Sequence, residues 1–218
     1  MMSDSVLKID GLCHAYKNHE ILKNIDLDLR AGERTAVLGE SGSGKSTLLR
    51  CIAGLEMIKR GKILLNGRIV SDHVMTVPTE DRNLGMVLQE RALFPHLTVI
   101  DNIMFGIDKV SSKHRIVADL TKLFKITSIL DKFPSEISGG EQQRVAFARS
   151  LAPEPELLML DEPFSALNQE LKEELYAELL SIFDERNVAV LLVTHDLTEA
   201  NRLTSSQAKL DGGELTKT

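Results

Sequence analysis

The feature that most constrains this chain is a glycine-rich segment, Gly39 to Ser46, which reads GESGSGKS and fits the pattern GxxxxGK[ST]. It lies between a short apolar run, Thr35 to Leu38, and a stretch of helical character, Lys45 to Leu55. A strand that enters a glycine-rich turn and leaves it as a helix is typical of α/β proteins. The segment therefore predicts an α/β fold with a mainly parallel sheet.

The same segment has the chemistry of a phosphate site. Glycines let the backbone fold around an anion, and the N-terminus of the following helix adds a partial positive charge. Lys45 would reach the β- and γ-phosphates of ATP, and the hydroxyl of Ser46 is placed to bind Mg²⁺. The alternative is a flexible Gly/Ser turn beside a solvated lysine. The predicted ATP-binding residues here are Gly39, Glu40, Ser41, Gly42, Ser43, Gly44, Lys45, Ser46 and Thr47.

A second apolar run, Leu157 to Leu160, ends in the acidic pair Asp161 and Glu162. In open α/β sheets, ligands bind at the carboxyl ends of the strands. Asp161 would support Mg²⁺ through water, and Glu162 would polarise the attacking water as a general base. Taken alone, the pair would also fit a helix cap or a solvated surface. The phosphate segment upstream favours the functional interpretation.

The remaining patterns predict the organisation of the chain. Apolar residues at four-residue spacing predict an amphipathic helix from Asn168 to about Arg186, and Val188 to Val193 predicts the next buried strand. Between Gln89 and Leu151 the helical patterns lengthen and no convincing strand occurs, which indicates a helical insertion. The run Lys62 to Leu65 is followed by Asn-Gly, a hairpin signal.

Composition excludes several classes of protein. The formal net charge of -6 argues against a dedicated nucleic-acid binder. The longest unbroken apolar run in the interior of the sequence, Val188 to Val193, is far shorter than the roughly 20 residues that cross a bilayer. The first residues also lack the pattern of a signal peptide. We therefore expect a chain that stays in the compartment where it is made. Cys13 and Cys51 are far apart and form no CxxC, so we expect both to pack as small hydrophobes.

A second glycine-containing segment carries a family resemblance. The residues from Ile137 to Arg144 read ISGGEQQR, and this stretch resembles the signature segment of the ATP-binding cassette ATPases. Ser138 would cap the following helix, and its hydroxyl with the N–H groups of Gly139 and Gly140 would form a second anion site. The alternative is a glycine-rich helix start on the surface. The resemblance covers nearly the whole chain.

The resemblance implies a fold and a division of the chain. It implies an α/β P-loop NTPase core with a mainly parallel sheet, an N-terminal antiparallel β subdomain and an inserted helical subdomain. We expect a single domain over residues 1–218, with the core at 1–89 and 151–218 and the helical subdomain at approximately 90–150.

The resemblance also assigns roles to single residues. Tyr16 would stack on adenine, although a lone tyrosine would equally fit core or surface. Gln89 would touch the metal and the attacking water and report the nucleotide state to the helical insertion; otherwise it is an ordinary polar residue at a strand end. His195, after the last buried strand, would contact the γ-phosphate rather than serve a structural role. The implied catalytic set is Lys45, Gln89, Glu162 and His195, and the implied metal set is Ser46, Gln89 and Asp161.

The function implied is that of an ATPase subunit of a membrane transporter, most similar to importers of ferric iron, polyamines, sugars, thiamine or inorganic anions. Two subunits would close head to tail over ATP and Mg²⁺, with the Ser138 segment of each contacting the other's γ-phosphate. A groove beside Gln89, with Phe94, Pro95 and His96, would pass the motion to transmembrane permease subunits. A solute-binding protein is expected, nucleic acid is not, and the chain would act peripherally on the cytoplasmic side of the inner membrane. We expect no C-terminal regulatory domain.

Three departures from the family pattern stand out. Asn168 replaces the usual aspartate after the catalytic strand, which would weaken communication between sites while still capping a helix. Glu141 stands where glutamine is common in importers. The stretch from Leu203 to Thr218 lacks the family's clear apolar strand, so we expect a short or irregular last edge of the sheet.

Rival functions share part of this pattern. A cassette ATPase of an export, lipoprotein-release or cell-division complex would have the same catalytic residues. A soluble cassette protein acting on ribosomes or DNA usually has tandem cassettes or long coiled-coil insertions. A small-molecule P-loop kinase would leave His195 and the segment after Ile137 without a role.

Overall fold

Two β-sheets organise the fold, one antiparallel and one mainly parallel. The computed structural model describes residues 5–107 and 113–217. Residues 1–4, 108–112 and 218, which the predicted domain boundaries include, lie outside the described residues. The architecture agrees with the predicted α/β class, while the division into core and helical subdomain stays a prediction.

The antiparallel sheet has four strands in the order β2-β1-β4-β5. Their bounds are β1 Ser5–Tyr16, β2 His19–Arg30, β4 Arg60–Leu65 and β5 Arg68–Ser71. In the turn between β4 and β5, Asn66 and Gly67 have φ of 50° and 75°. Positive φ at both central residues is what a two-residue hairpin turn requires. The Asn-Gly hairpin prediction is confirmed.

The second sheet has six strands in the order β10-β9-β3-β8-β7-β6. Their bounds are β3 Arg34–Leu38, β6 Leu84–Val87, β7 Leu157–Asp161, β8 Ala189–Thr194, β9 Ser206–Asp211 and β10 Glu214–Lys217. The pairs β3 with β8, β7 with β8, β6 with β7 and β3 with β9 are parallel. Every residue of β7 and β8 is buried, as expected for central parallel strands covered on both faces.

The last edge of the sheet is short, as expected, because the edge strand β10 has four residues, but it is not irregular. β9 pairs in parallel with β3 over four residues, and β10 returns antiparallel to β9 with an unbroken register. Gly212 and Gly213, with φ of 54° and 87°, make the turn. Within β9 only Ala208 and Leu210 are buried. β9 lies between β3 and the edge strand β10. Its buried apolar residues alternate with polar ones, so it lacks the continuous apolar run of the central strands β7 and β8.

Six helices complete the described structure. They are α1 Lys45–Ala53, α2 Val99–Met104, α3 Lys113–Leu123, α4 Gly139–Leu151, α5 Gln169–Arg186 and α6 Leu197–Leu203. Short 3₁₀ turns occur at Thr79–Asp81, Thr127–Ile129 and Pro134–Glu136. The described part of 90–150 contains helices and no strand. Asn168 caps α5 by accepting a hydrogen bond from the backbone N–H of Leu171 at 2.9 Å, as predicted.

The parallel sheet separates two apolar cores. Alternate residues of β8 point to opposite faces, so Val190 and Leu192 join one core and Leu191 and Val193 join the other. The first core lies under the helical insertion and α5 and contains Tyr176, which is 2% exposed. The second packs α1 between the two sheets.

Both cysteines are buried and unbridged, as expected for small packed residues. In the part of the chain that the structure describes, no helix has the length and apolar character needed to cross a bilayer.

Candidate nucleotide-binding site

The N-terminus of α1 is open. The residue that precedes the helix, Gly44, has φ of 104° and offers no side chain to cap the first backbone N–H groups. A non-glycine residue is strained in this left-handed conformation. The first N–H groups of a helix have no partner within it, so an uncapped start is suited to an anion.

Lys45 lies at the centre of the site and is only 4% exposed. Its Nζ donates hydrogen bonds to the carbonyl oxygens of Gly39 and Glu40 at 2.8 and 2.9 Å. It also lies 3.4 Å from Oε1 of Glu162. A buried ammonium group requires such partners, and a triphosphate would offer it stronger ones.

Asp161 ends β7 beside the start of α1. Its Oδ1 accepts a hydrogen bond from the hydroxyl of Ser46 at 3.0 Å. Burial raises the pKa of Asp161, and the bond from Ser46 partly opposes that rise. A buried carboxylate and a hydroxyl form the hard oxygen set that Mg²⁺ prefers, so these residues fit the metal that the sequence predicts.

Glu162 follows Asp161 with φ of 44°, an unusual backbone conformation for glutamate. Its backbone N–H bonds to the carbonyl of Val193 at 3.0 Å, and its Oε2 lies 3.1 Å from Nδ1 of His195. β7 and β8 are parallel neighbours, so their carboxyl ends bring Glu162 and His195 together. Strained backbone at such a position is common where a side chain must be held for function.

A cavity of about 270 Å³ joins several predicted residues. Its lining comprises Ile21, Ser41, Gly42, Gly44, Lys45, Ser46, Thr47, Gln89 and Glu162. Ile21 was not predicted, because a lone apolar residue in a strand has no distinguishing signal. Glu40 and Ser43 face an adjoining cavity of about 360 Å³, which His19, Lys23 and the β9–β10 turn also line.

Tyr16 lines neither of these two cavities. It ends β1, opposite His19 in the first hairpin, and is 41% exposed. Its hydroxyl donates a hydrogen bond to Oε1 of Glu56 at 2.9 Å. The structure thus places Tyr16 at a strand end, paired with His19, which lines the second cavity.

The signature segment lies on a separate element and does not line either cavity. Ser138 caps α4, as predicted: its Oγ accepts from the N–H of Glu141 at 3.3 Å. Oε2 of Glu141 in turn accepts from the N–H of Ser138 at 2.7 Å and from its hydroxyl at 2.6 Å. These bonds lower the pKa of Glu141. The hydroxyl of Ser138, which is expected to contact an anion, is therefore already bonded to the carboxylate of Glu141 in the same chain.

Two arginines connect the segment after Gln89 to α4, and the sequence had no signal for them. Arg91, with φ of 58°, donates from Nη1 to Oε1 of Gln142 at 3.2 Å. Arg149 donates from Nη1 to the carbonyl of Ala92 at 2.8 Å. These two hydrogen bonds join the segment that follows Gln89 to α4.

Comparison with known proteins decides the family. The family model described as "ABC transporter" matches residues 22–165, a range that contains the open helix start, the acidic pair and the signature segment. The chain belongs to the ABC transporter family. Sequence relatives agree: the chain is 41% identical over 216 residues to the sulfate/thiosulfate import ATP-binding protein CysA of Thermosynechococcus vestitus, covering 96% of this chain and 62% of that protein.

Two further ABC relatives are the Fe(3+) ions import ATP-binding protein FbpC 2 of Haemophilus influenzae and the molybdenum import ATP-binding protein ModC of Methylococcus capsulatus. Identity to the former is 39% over 219 residues, covering 99% of this chain and 62% of that protein. Identity to the latter is 43% over 193 residues, covering 88% and 54%. The chain thus spans less than two thirds of the length of these relatives.

Solved ABC structures share the fold. The dimeric structure of MJ0796, a bacterial ABC transporter cassette, matches with a TM-score of 0.84 and 28% identity over 96% of each chain. A post-hydrolysis state of the same cassette bound to ADP and Pi matches with the same score and identity, over 97% of this chain and 98% of that one.

Proposed function

We propose that this chain binds and hydrolyses ATP as the nucleotide-binding subunit of an ABC importer. The observation that carries the proposal is the meeting of Lys45, Glu162 and Gln89 around one cavity at the open start of α1. The Ser46–Asp161 hydrogen bond at 3.0 Å adds the oxygen ligands beside it.

Each residue would have a separate task. Lys45 and the N–H groups of α1 would hold the β- and γ-phosphates. Ser46, Gln89 and Asp161 would hold Mg²⁺, which when bound neutralises charge on the phosphate oxygens. Glu162 would accept a proton from the water that attacks the γ-phosphorus, while the bond to the bridging oxygen breaks and ADP leaves with that electron pair. His195, bonded to Glu162, would contact the γ-phosphate.

The proposal includes a second copy of the chain. Ser138, Gly139 and Gly140 lie away from the cavity, so they would act on a nucleotide held by a partner subunit in a head-to-tail homodimer. The dimeric structure of MJ0796 supports the dimerisation that this part of the proposal requires.

The remaining partners follow from the relatives, whose names describe import of sulfate or thiosulfate, ferric ions and molybdenum. Transmembrane permease subunits would dock beside Gln89, where Pro95 and His96 are exposed and Phe94 packs 4.4 Å from the 60% exposed Phe105. A solute-binding protein would deliver the cargo, and the chain would work at the cytoplasmic face of the inner membrane. Copurification with a multi-span membrane protein tests this part, and capture of ribosomes or DNA instead would contradict it.

The catalytic assignment is tested by Glu162→Gln. Removing a positioned general base costs about 10² to 10⁴ in rate, so turnover should nearly vanish while ATP still binds and subunits still pair. Glu80→Gln, at an exposed position of the 3₁₀ turn, is the matched control and should hydrolyse ATP normally. Parent-like turnover by Glu162→Gln would show that the base is wrongly assigned.

The binding assignment is tested by Lys45→Ala. This variant removes the buried cation that would face the phosphates, so ATP affinity itself should be lost. Binding is measured by calorimetry with Mg²⁺ and ATP. Unchanged affinity would mean that the phosphates are held elsewhere.

A further inference from the structure

Two neighbours that none of the roles above uses hold the ring of Tyr16. Glu56 accepts a hydrogen bond from the phenolic hydroxyl at 2.9 Å. The imidazole of His14 meets the ring edge to face, with ring centroids 4.8 Å apart and planes at 85°. The hydroxyl and one side of the ring are therefore both engaged, while 41% of Tyr16 stays exposed.

His14 is itself fixed. It is 3% exposed, and its Nδ1 lies 2.9 Å from the carbonyl oxygen of Met57. A carbonyl can only accept, so Nδ1 carries the proton of this bond. Nε2 is buried and finds no hydrogen-bond partner in the described ranges. Rotating the imidazole would break the bond to Met57, so the ring supports Tyr16 in one orientation.

The segment that contains Glu56 and Met57 is anchored on both sides. It leaves α1 through Gly54, where an added Cβ would lie 2.5 Å from the guanidinium of Arg82. Arg82 is buried and donates to the carbonyl of Ile52 at 2.7 Å. Beyond Met57, the N–H of Lys59 bonds to the carbonyl of Cys13 in β1 at 2.8 Å. The backbone that carries Glu56 is therefore held on both sides, which limits how far Glu56 can move with the Tyr16 ring.

The anchored segment also relates Tyr16 to the phosphates. α1 begins at Lys45 and ends at Ala53, and nine helical residues span about 13 Å. One end of this rigid element would bind phosphate, and the other end carries the support of the exposed ring. An aromatic ring fixed at a set distance from a phosphate site is suited to stack on the base of the same nucleotide.

We propose that Glu56 and His14 are positioning residues that hold the Tyr16 ring ready to stack on the nucleotide base. The inference rests on the proposed function, because it requires ATP at the start of α1. Glu56 acts through the phenolic hydroxyl and His14 through the ring edge. Neither is a catalytic residue.

The test compares two probes, Mg²⁺ with ATP and Mg²⁺ with tripolyphosphate, which lacks base and ribose. Glu56→Ala and Tyr16→Phe should each weaken ATP binding about two- to tenfold, the range expected for one hydrogen bond, and leave tripolyphosphate binding unchanged. The double variant should be no weaker than either single variant. Glu56→Gln keeps an acceptor oxygen and should restore the parent affinity.

His14 is tested in the same way. His14→Leu should weaken ATP binding and spare tripolyphosphate, and His14→Phe, which keeps an aromatic edge, should recover most of the loss. Equal weakening of both probes by His14→Leu would indicate a general structural effect and overturn its positioning role. Glu80→Ala is the control for an acidic surface residue and should change neither affinity.

The role of Glu56 would be overturned if the losses of ATP affinity in Tyr16→Phe and Glu56→Ala added up in the double variant. It would also be overturned if Glu56→Ala weakened the binding of ATP and tripolyphosphate equally. Lys45→Ala separates this failure from that of the proposed function. If Lys45→Ala abolishes binding of both probes while Glu56→Ala changes neither, this inference fails and the phosphate site stands. If Lys45→Ala retains both probes, the proposed function fails and this inference fails with it.

Discussion

Two helix N-termini in this molecule are candidates for anion binding, and they are built in opposite ways. The residue before α1 is Gly44, which places no side chain over the first N–H groups of the helix. The residue before α4 is Ser138, whose hydroxyl and backbone N–H are both engaged by Glu141. The first site is open within a single chain, and the second is closed by the chain itself. An anion that reaches α4 must therefore compete with a carboxylate.

The two helices are also anchored differently. α1 is held at its end by Arg82, whose guanidinium donates to the carbonyls of Ile52, Val70 and Val77 and to the hydroxyl of Ser71. Burial lowers the pKa of Arg82 to about 10.

α4 is instead held by ion pairs: Arg144 contacts Glu178 and, at 2.7 Å, Glu174, both on α5. The end of α1 is thus held through bonds from Arg82 to neutral carbonyls, whereas α4 is held to the neighbouring helix α5 through ion pairs of Arg144.

The largest expected effect concerns the α4 anchor. Arg144→Ala leaves Glu178 nearly buried beside one remaining cation, Lys125 at 3.2 Å, and should lower the free energy of unfolding by about 3 kcal/mol. The change in the free energy of unfolding is measured by denaturant titration. Arg202→Ala, which removes an exposed pair with Glu173, should produce no measurable change. Equal effects of the two variants would mean that the Arg144 cluster is not an anchor.

The next effect concerns the open start of α1. Gly44→Ala forces a side chain into φ of 104°, with its Cβ 3.0 Å from Ile21, and should cost about 1–2 kcal/mol. Gly42→Ala shares the left-handed backbone at φ of 81° but meets nothing within 4 Å. Thermal denaturation and tripolyphosphate binding should therefore suffer more in Gly44→Ala. Identical behaviour of both variants would contradict a special role for the Gly44 position.

A smaller effect is expected at the closed start of α4. Ser138→Ala removes the cap and should lower the free energy of unfolding by about 1 kcal/mol, while the isolated subunit binds ATP as before. The prediction is checked by denaturation and by calorimetry on monomeric protein. Weaker ATP binding by the monomer would mean that the two helix starts act within one chain.

The smallest effect concerns pH. The bonds from Ser138 lower the pKa of Glu141, so the folded state favours the carboxylate. This stabilisation is present above the unfolded pKa of about 4.3 and is lost as the pH falls through the lower folded value. In Glu141→Gln, the free energy of unfolding should fall less steeply on acidification than in the parent. This difference should be smaller than the loss of about 1 kcal/mol expected for Ser138→Ala. An acid limb identical to that of the parent would place the titrating group elsewhere.

Local sequence patterns predicted most of the fold and several of the residues that lie together at the candidate site. The segment from Gly39 to Ser46 and the pair Asp161–Glu162 could be predicted because each depends on a strand end and the residues beside it. The regular pairing of β9 and β10 was not predicted, because neither strand has a continuous apolar run. The roles of single residues at the site stay predictions until they are tested.

Contacts between distant residues could not be predicted. Glu56 meets Tyr16 across 40 positions, and Arg91 meets Gln143 across 52. Such pairs depend on how strands and helices assemble, and nothing in their local sequence distinguishes them from other polar residues. The left-handed backbone of Glu162, whose N–H bonds to Val193 on the neighbouring strand, likewise has no signal in the local sequence.

The placement of the two tyrosines makes the molecule its own optical reporter. The chain contains no tryptophan, so its near-ultraviolet absorbance comes mainly from Tyr16 and Tyr176. Burial raises the pKa of Tyr176, which keeps that phenol protonated where an ordinary one ionises. Tyr16 is 41% exposed and Tyr176 only 2%, so a near-ultraviolet difference spectrum recorded with and without nucleotide reads mainly one exposed aromatic ring, without any attached dye.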